Sequence, residues 1–173
     1  MNYKMYQTER LILRPTDQSD ASFIYELMNS EKWIKYIGER NIKSLDDAKT
    51  YIKEKMDPQL ERLGFGNYTM ILKSDESIKV GTCGLYDREG LEGLDIGFAL
   101  LESFENLGYA YEAARKVLEL GLQDFGYSKI SAITTRDNVS SQKLIKKLGL
   151  RFIKMINLPN DEEELMLFEI QNA

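Results

Sequence analysis

The sequence predicts an α+β fold, in which a mixed sheet is covered by a small number of helices. Three observations lead to this prediction. The 173 residues are 43% hydrophobic and 29% charged, which is enough apolar material for a single domain over residues 1–173. The spacing of apolar residues predicts elements in the order β-α-α-β-β-β-α-β-α-β-β. Because few of these helices alternate with strands, a doubly wound parallel sheet is excluded.

Each element follows from a local pattern. Residues 9–14 alternate, with Leu11 and Leu13 on one side of a strand that Pro15 ends. Apolar residues at helical spacing predict helices at 17–29 and at 45–62, the second broken near Pro58. The other predicted strands are 68–72, 78–85, 94–100, 129–135, 150–157 and 164–170, and the other predicted helices are 110–125 and 138–148.

The composition excludes several catalytic chemistries. The chain contains no histidine, so Ser-His-Asp triads, Cys-His pairs and His-ligated metal sites are impossible, and no metal site is expected. Cys83 is the single cysteine, which rules out an internal disulfide and favours a reducing compartment. Its apolar surroundings favour a buried small hydrophobe over a reactive thiol. The frame Gly64-Phe-Gly66 precedes a strand, and no G-x-x-x-x-G-K-[S/T] loop occurs, so the common nucleotide-binding loops are excluded.

Charge and hydropathy restrict the partners. Lys and Arg number 23 against 28 Asp and Glu, and the basic residues are dispersed along the chain. The resulting net charge of −5 argues against duplex nucleic acid as a partner. The first ten residues lack the apolar core of a signal peptide, and no apolar run approaches the roughly 20 residues of a membrane helix. The sequence therefore predicts a cytoplasmic protein with no membrane partner.

Three local groups of residues could carry chemistry, and each also has a structural interpretation. The turn at 105–110 joins a strand to a helix, where free amides suit a phosphate, although a glycine there is also an ordinary turn residue. The run Asp137-Asn138-Val139-Ser140-Ser141 is also what a helix N-cap requires. Lys143, Lys146 and Lys147 form a basic helix face, which is either solvated or available to scattered phosphates.

The order of these groups resembles a known family. The strand Asp95-Ile-Gly-Phe-Ala-Leu100, the turn Asn106-Leu-Gly-Tyr-Ala110 running into Glu112-Ala113, and the later Asn138-x-x-Ser141-x-x-Leu-x-x-x-Leu-Gly149 together resemble the GNAT superfamily of acetyl-CoA-dependent N-acetyltransferases. The opening Thr8-Glu-Arg-Leu-Ile-Leu-Arg14, followed by Asp20, is similar to its RimJ/RimL-like branch, which includes ribosomal-protein N-terminal acetyltransferases. The resemblance covers nearly the whole chain.

The resemblance implies a GNAT-like, mostly antiparallel sheet of about six or seven strands, flanked by about four helices and splayed between its fourth and fifth strands. Acetyl-CoA would lie in that cleft, held by main-chain groups of the fourth strand, by the amides of the turn and by the helix that follows the fifth strand. In chain order the implied binding residues are Phe98, Ala99, Leu100, Asn106, Leu107, Gly108, Tyr109, Ala110, Tyr111, Asn138, Ser141, Lys143 and Lys146.

The implied reaction is direct transfer of the acetyl group to a primary amine, which is either a protein N-terminus or a small molecule. The resemblance makes Ser141 the proton donor to the departing thiolate, with Tyr111 or Tyr127 as alternatives. Without histidine the base must be a carboxylate, and Asp95 is the candidate, with Glu92 behind it. The structural interpretation of Asp95 is a solvated carboxylate at a strand edge.

The family takes its acceptor specificity from the first two helices and their loop. Here that region contains Glu31, Trp33, Tyr36, Ile37 and Glu39. Trp33, the only tryptophan, either lines the acceptor pocket or caps the core.

One position departs from the family pattern, which usually places Gln or Arg at the start of the turn. This chain has Glu105, whose carboxylate would repel a pyrophosphate unless it turns outward, as we expect, with weaker CoA binding as a consequence. Glu112 is expected to form structural hydrogen bonds. The departure leaves a second hypothesis, a catalytically degenerate CoA-binding or regulatory module. Relatives often form homodimers, although no apolar stripe remains for an interface.

Overall fold

In the computed structural model, which describes residues 2–172, eight strands form one sheet. They are β1 (Tyr6–Gln7), β2 (Leu11–Pro15), β3 (Asn67–Leu72), β4 (Asp75–Asp87), β5 (Leu94–Leu100), β6 (Lys129–Thr134), β7 (Arg151–Ile156) and β8 (Leu165–Gln171). Their order across the sheet is β1-β2-β3-β4-β5-β6-β8-β7, and every neighbouring pair except β5 and β6 is antiparallel. The predicted α+β class is confirmed. The strand that the sequence did not predict is β1, whose two residues are too few to show alternation.

The helices are α1 (Ala21–Met28), α2 (Glu31–Tyr36), α3 (Leu45–Tyr51), α4 (Asp57–Leu63), α5 (Tyr109–Glu119) and α6 (Val139–Lys147). The predicted interruption near Pro58 is confirmed, because a new helix, α4, begins at Asp57 and places Pro58 in its first turn, where its missing N–H removes no helical bond. A π-helical segment, Ile52–Met56, joins α3 to α4. The short α2 was not predicted. Within residues 2–172, no helix is long and apolar enough to cross a membrane.

Strands β5 and β6 separate after two residue pairs. Parallel pairing joins Leu94 to Ile130 and Asp95 to Ser131, although β5 continues to Leu100. Beyond these pairs β5 stays with β4, and β6 stays with β8. The second half of β5 therefore has an open main-chain edge toward β6. The sequence predicted this opening between the fourth and fifth strands. These strands are β5 and β6 in the structure, because β1 adds one strand before them.

Apolar clusters cover both faces of the sheet. Ile96 of β5 belongs to the cluster that includes Ala113 and Val117 of α5. Ala99, whose side chain points to the opposite face, packs against the cluster formed by α1 and α3. The open edge of β5 is therefore flanked by α5 on one face and by α1 and α3 on the other.

Strand β7 forms the edge of the sheet and leaves apolar side chains exposed. Phe152 and Ile153 are 47% and 49% exposed. The sequence did not predict these two exposed apolar side chains, and the expectation that no apolar stripe remains for an interface stays a prediction. Alternation along the chain identified this strand but could not show that it lies at an edge.

Candidate active site

Two left-handed residues build the turn between β5 and α5. Asn106 has a φ of 61° and Gly108 a φ of 85°, a conformation that asparagine tolerates and glycine adopts freely. The N–H of Glu112 donates to the carbonyl of Gly108 over 3.1 Å at the start of α5. The amides that precede it have no acceptor within the helix. Such amides, with the positive end of the helix dipole, can bind a phosphate group.

Glu112 ties this turn to the chain just before β2. Its carboxylate accepts hydrogen bonds from the Thr8 hydroxyl over 2.6 Å, and from the main-chain N–H and the Nε of Arg10, each over 2.7 Å. Burial raises the pKa of Glu112, but these bonds outweigh it, and the net pKa is lowered. The predicted structural role of Glu112 is confirmed.

Arg10 also contacts the turn directly. Its Nη1 donates to the Leu107 carbonyl over 2.9 Å, and its guanidinium carbon lies 4.4 Å from the centre of the Tyr109 ring. Arg10 is thus a residue of the candidate site that sequence reasoning missed. Arg10 belongs to the family-like segment at residues 8–14, but no local pattern links it to a turn about 100 residues later.

Glu105 forms an ion pair with Lys32 of α2. The outward orientation expected of Glu105 stays a prediction, and the pair supplies a cationic partner for its carboxylate. The pair borders a cavity of about 180 Å³ between α2 and the end of β5, whose lining also includes Lys35, Tyr36 and Leu100. Because Lys32 supplies a positive charge beside the turn, Glu105 does not act there as an isolated anion.

The second half of β5 and the start of α6 contain the other implied cofactor residues. Phe98, Ala99 and Leu100 follow the last β5–β6 pair, so their main-chain groups lie along the open edge. The Asn138 side chain accepts a hydrogen bond from the Ser141 N–H over 3.2 Å, which confirms the N-cap interpretation. The hydroxyl of Ser141 forms none of the side-chain hydrogen bonds found among residues 2–172, so it can serve a ligand.

Contacts of α6 place it beside the turn. The Lys147 ammonium lies 4.1 Å from the centre of the Tyr111 ring, in the first turn of α5. Lys143 and Lys146 are exposed on α6. Tyr127 is remote, because it precedes β6 and packs edge-on against Phe65, with ring centres 6.1 Å apart. The suggestion that Tyr127 is an alternative proton donor is therefore wrong, because the opening between β5 and β6 lies at the other end of β6.

Asp95 lies where β5 and β6 separate. It is 1% exposed, and its two oxygens accept from the Nε and Nη2 of Arg88 over 3.1 and 3.3 Å. Burial raises the pKa of Asp95, Arg88 lowers it, and the net pKa is raised. The alternative of a solvated carboxylate is therefore wrong for Asp95. It applies instead to Glu92, whose side chain is 92% exposed and pairs with Lys129.

Among the residues expected to set acceptor specificity, Trp33 of α2 packs against the α1 and α3 cluster. Its indole N–H is buried without a hydrogen-bond partner among residues 2–172. The core-capping interpretation thus holds, and the N–H remains unsatisfied. Tyr36 is partly exposed, and Glu31, Ile37 and Glu39 are exposed on or just after α2.

Known proteins share this sequence pattern and fold. Residues 10–151 match the family described as "Acetyltransferase (GNAT) domain". The uncharacterized N-acetyltransferase YnaD of Bacillus subtilis (strain 168) is 29% identical over 144 residues, which are 83% of this chain and 81% of YnaD.

Two solved structures show the fold. An acetyltransferase from Agrobacterium tumefaciens str. C58 superposes with a TM-score of 0.83 at 19% identity, over 99% of this chain and 96% of its own. RimL, a ribosomal L7/L12 alpha-N-protein acetyltransferase in complex with coenzyme A, superposes with a TM-score of 0.81 at 14% identity, over 97% of this chain and 98% of its own. Since the family match spans residues 10–151 and includes the separated strands and the turn before α5, this chain belongs to the GNAT acetyltransferase family.

Proposed function

We propose that this protein transfers an acetyl group from acetyl-CoA directly to a primary amine, either a protein N-terminus or a small-molecule amine. The observation that carries this proposal is the open edge of β5 next to the amide-rich turn before α5. An extended pantetheine arm needs main-chain partners of this kind, and a pyrophosphate needs helix-start amides. The family-like N-terminal segment at residues 8–14 supports the RimJ/RimL-like branch, and RimL adopts the same fold with bound coenzyme A.

The open edge, the turn and the start of α6 would divide the contacts with acetyl-CoA. Main-chain groups of residues 98–100 would bind the pantetheine, and the amides of residues 106–111 the pyrophosphate. Asn138 and Ser141 would contact the arm near the sulfur, and Lys143 and Lys146 the adenosine phosphates. Acetyl-CoA supplies the activated thioester.

The protein's own groups would handle charge and protons. Main-chain N–H groups of β5 would donate to the acetyl oxygen as negative charge develops there. The amine nitrogen bonds to the acetyl carbon, the carbon–sulfur bond breaks, and the sulfur takes the electron pair. Ser141 would donate to that sulfur and regain, through solvent, the proton that the amine nitrogen loses to the base. Because a thiol has a pKa near 8.5, the thiolate is a weakly basic leaving group that needs only such a hydroxyl donor.

Asp95 remains the proposed base, and its surroundings set a condition. Arg88, whose side chain is 36% exposed, must release one carboxylate oxygen to the amine or to a bridging water. An α-amine with a pKa of about 7.7–8.0 is partly neutral at physiological pH, whereas a lysine side chain at about 10.4 is almost fully protonated. A site whose base is an ion-paired carboxylate therefore favours α-amines or other weakly basic amines.

Calorimetric titration with acetyl-CoA, together with melting in saturating ligand, tests the proposal. At about 100 times the Kd, a ligand of the native state stabilises by roughly 2.7 kcal/mol, which raises the Tm by several degrees. One-to-one binding followed by acetyl-CoA consumption with an amine panel supports the enzyme. Binding without turnover supports the degenerate module, and the absence of both heat and a Tm shift refutes the acetyltransferase assignment.

We also propose a homodimer in which the β7 strands of two copies pair antiparallel. The strand follows the basic end of α6, with Lys146 and Lys147, and precedes the acidic residues 161–164. Antiparallel pairing places the end of one strand beside the start of the other, so these opposite charges would meet twice across the two-fold axis. The exposed Phe152 and Ile153 would be covered.

Light scattering at about 50 μM tests this assembly, a concentration at which a dimer with a Kd of about 1 μM is mostly associated. Ile153→Lys should yield a monomer, whereas Leu45→Lys, at a residue that is 50% exposed on α3, should leave the dimer intact. A monomeric wild type would refute the dimer.

A further inference from the structure

Polar side chains are buried on the sheet face that α1 and α3 cover. A face that packs on helices normally consists of apolar residues, because a buried polar group without a partner costs free energy. The buried polar residues on or against this face are Thr16, Asp20, Asn67, Thr69, Thr82, Asp95 and Ser131. Most of them are joined in one hydrogen-bonded chain.

The chain starts at Asp20, which is fully buried. One carboxylate oxygen accepts from Arg14 and from Lys79, each over 2.7 Å, and the other from the Thr69 hydroxyl over 3.1 Å. Burial raises the pKa of Asp20, but the bonds from Arg14 and Lys79 outweigh it, and the net pKa is lowered. The group is therefore an ionised carboxylate that accepts and cannot donate.

This acceptor fixes the direction of every bond that follows. Thr69 gives its single proton to Asp20, so the 2.9 Å contact between Thr69 and Thr16 must have Thr16 as the donor. The Thr16 oxygen then accepts from the amide nitrogen of Asn67 over 2.8 Å. The amide oxygen of Asn67 in turn accepts from the Tyr86 hydroxyl over 2.5 Å.

Tyr86, at the end of this chain, lies flat against the sheet because two glycines beneath it have no side chains. A Cβ at Gly97 would lie 2.8 Å from Cε2 of Tyr86, and a Cβ at Gly84 would lie 3.0 Å from its hydroxyl oxygen. Gly97 is two residues beyond Asp95, the last residue of β5 that pairs with β6. The partly exposed Tyr86 ring therefore borders the opening, on the face away from α5.

We infer that the Tyr86 hydroxyl oxygen accepts a hydrogen bond from an N–H group of the amine substrate, and that Asp20 fixes this polarity through Thr69, Thr16 and Asn67. The role rests on the proposed function, because the substrate is the acceptor of that reaction. Tyr86 gives its own proton to Asn67, so only its lone pairs remain, and these select N–H donors over carbonyl or carboxylate groups. The preferred substrates therefore carry N–H groups beyond the reacting nitrogen, as peptides and polyamines do.

Spermidine and alanyl-alanine amide are suitable probes, because each carries additional N–H groups. Binding is followed by NMR of protein labelled at the tyrosine Cζ, and the Tyr86 signal is assigned by its loss in Tyr86→Phe. The matched pair of variants is Thr69→Val, which breaks the chain, and Thr82→Val. Thr82 is the cross-strand partner of Thr69, is 3% exposed and lies outside the chain. Asp20 keeps its bonds from Arg14 and Lys79 in both variants.

At least one probe should shift the Tyr86 signal, and Tyr86→Phe should raise its Kd, or its KM once turnover is found, by about tenfold, the loss of one hydrogen bond. Thr69→Val should raise it about threefold, with kcat unchanged within about twofold, and Thr82→Val should leave both unchanged. No shift with either probe, or equal effects of the two threonine variants, overturns the inference. The NMR titration requires no acetyl-CoA, so a failure of the proposed function, seen as the lack of acetyl-CoA binding, is a separate result.

Discussion

Replacement of Glu112 by alanine tests how the turn between β5 and α5 is held. The substitution removes three hydrogen bonds to one carboxylate, two of them from Arg10 and one from Thr8. A hydrogen bond to a charged group contributes about 1.5–3 kcal/mol. The Arg10 side chain is 42% exposed, so its ion pair is screened to about 0.2–1 kcal/mol. These contributions sum to about 3–7 kcal/mol, and because they share one carboxylate and are not additive, the expected loss lies at the lower end, about 3–4 kcal/mol in the free energy of unfolding, or about 6–16 °C in Tm.

The assay is thermal melting of Glu112→Ala beside Glu119→Ala, which removes an exposed carboxylate two turns further along α5. Because the folded pKa of Glu112 is lowered, its contribution is complete above the unfolded value of about 4.3 and is lost as pH falls through the folded value. The Tm difference between wild type and Glu112→Ala should therefore shrink below about pH 4. If the two variants melt at the same temperature at pH 7, Glu112 does not stabilise the turn before α5.

Three further predictions concern the reaction and the turn. Ser141→Ala should lower kcat about 100-fold and leave the Kd of acetyl-CoA within about twofold, and an unchanged kcat would remove Ser141 from proton transfer. Asp95→Asn should abolish the acidic limb of the plot of kcat/KM against pH. In the wild type this limb is expected above the ordinary aspartate pKa, because burial raises the pKa of Asp95. If the variant retains the limb, another group is the base. Lys32→Met should raise the Kd of acetyl-CoA about threefold by leaving Glu105 unpaired, whereas Lys35→Met, in the same cavity wall, should not; equal effects would show that the Lys32–Glu105 pair is irrelevant to binding.

Local patterns predicted the elements of the site better than its contacts. The strand at 94–100, the turn at 105–110 and the cap at Asn138 each have a local cause, namely alternation, a left-handed glycine and a side-chain acceptor. The separation of β5 from β6 depends on pairing between distant segments and came only from the family resemblance. The burial of Asp95 and its pairing with Arg88 depend on which loop lies over the strand, and alternation does not encode this.

The polar residues on either side of β2 contact two different parts of the candidate site, a role that their position in the sequence does not reveal. Thr8 and Arg10, before the strand, bind Glu112 at the start of α5, and Thr16, after it, belongs to the buried chain that ends at Tyr86.

Between them Leu11 and Leu13 are fully buried, so the strand is fixed in the core. One rigid segment therefore positions the turn before α5, which is proposed to bind the pyrophosphate, with one end and the proposed acceptor contact with the other. If this is correct, Glu112→Ala and Thr69→Val should have additive effects on stability, because each acts on its own end of a strand that does not move.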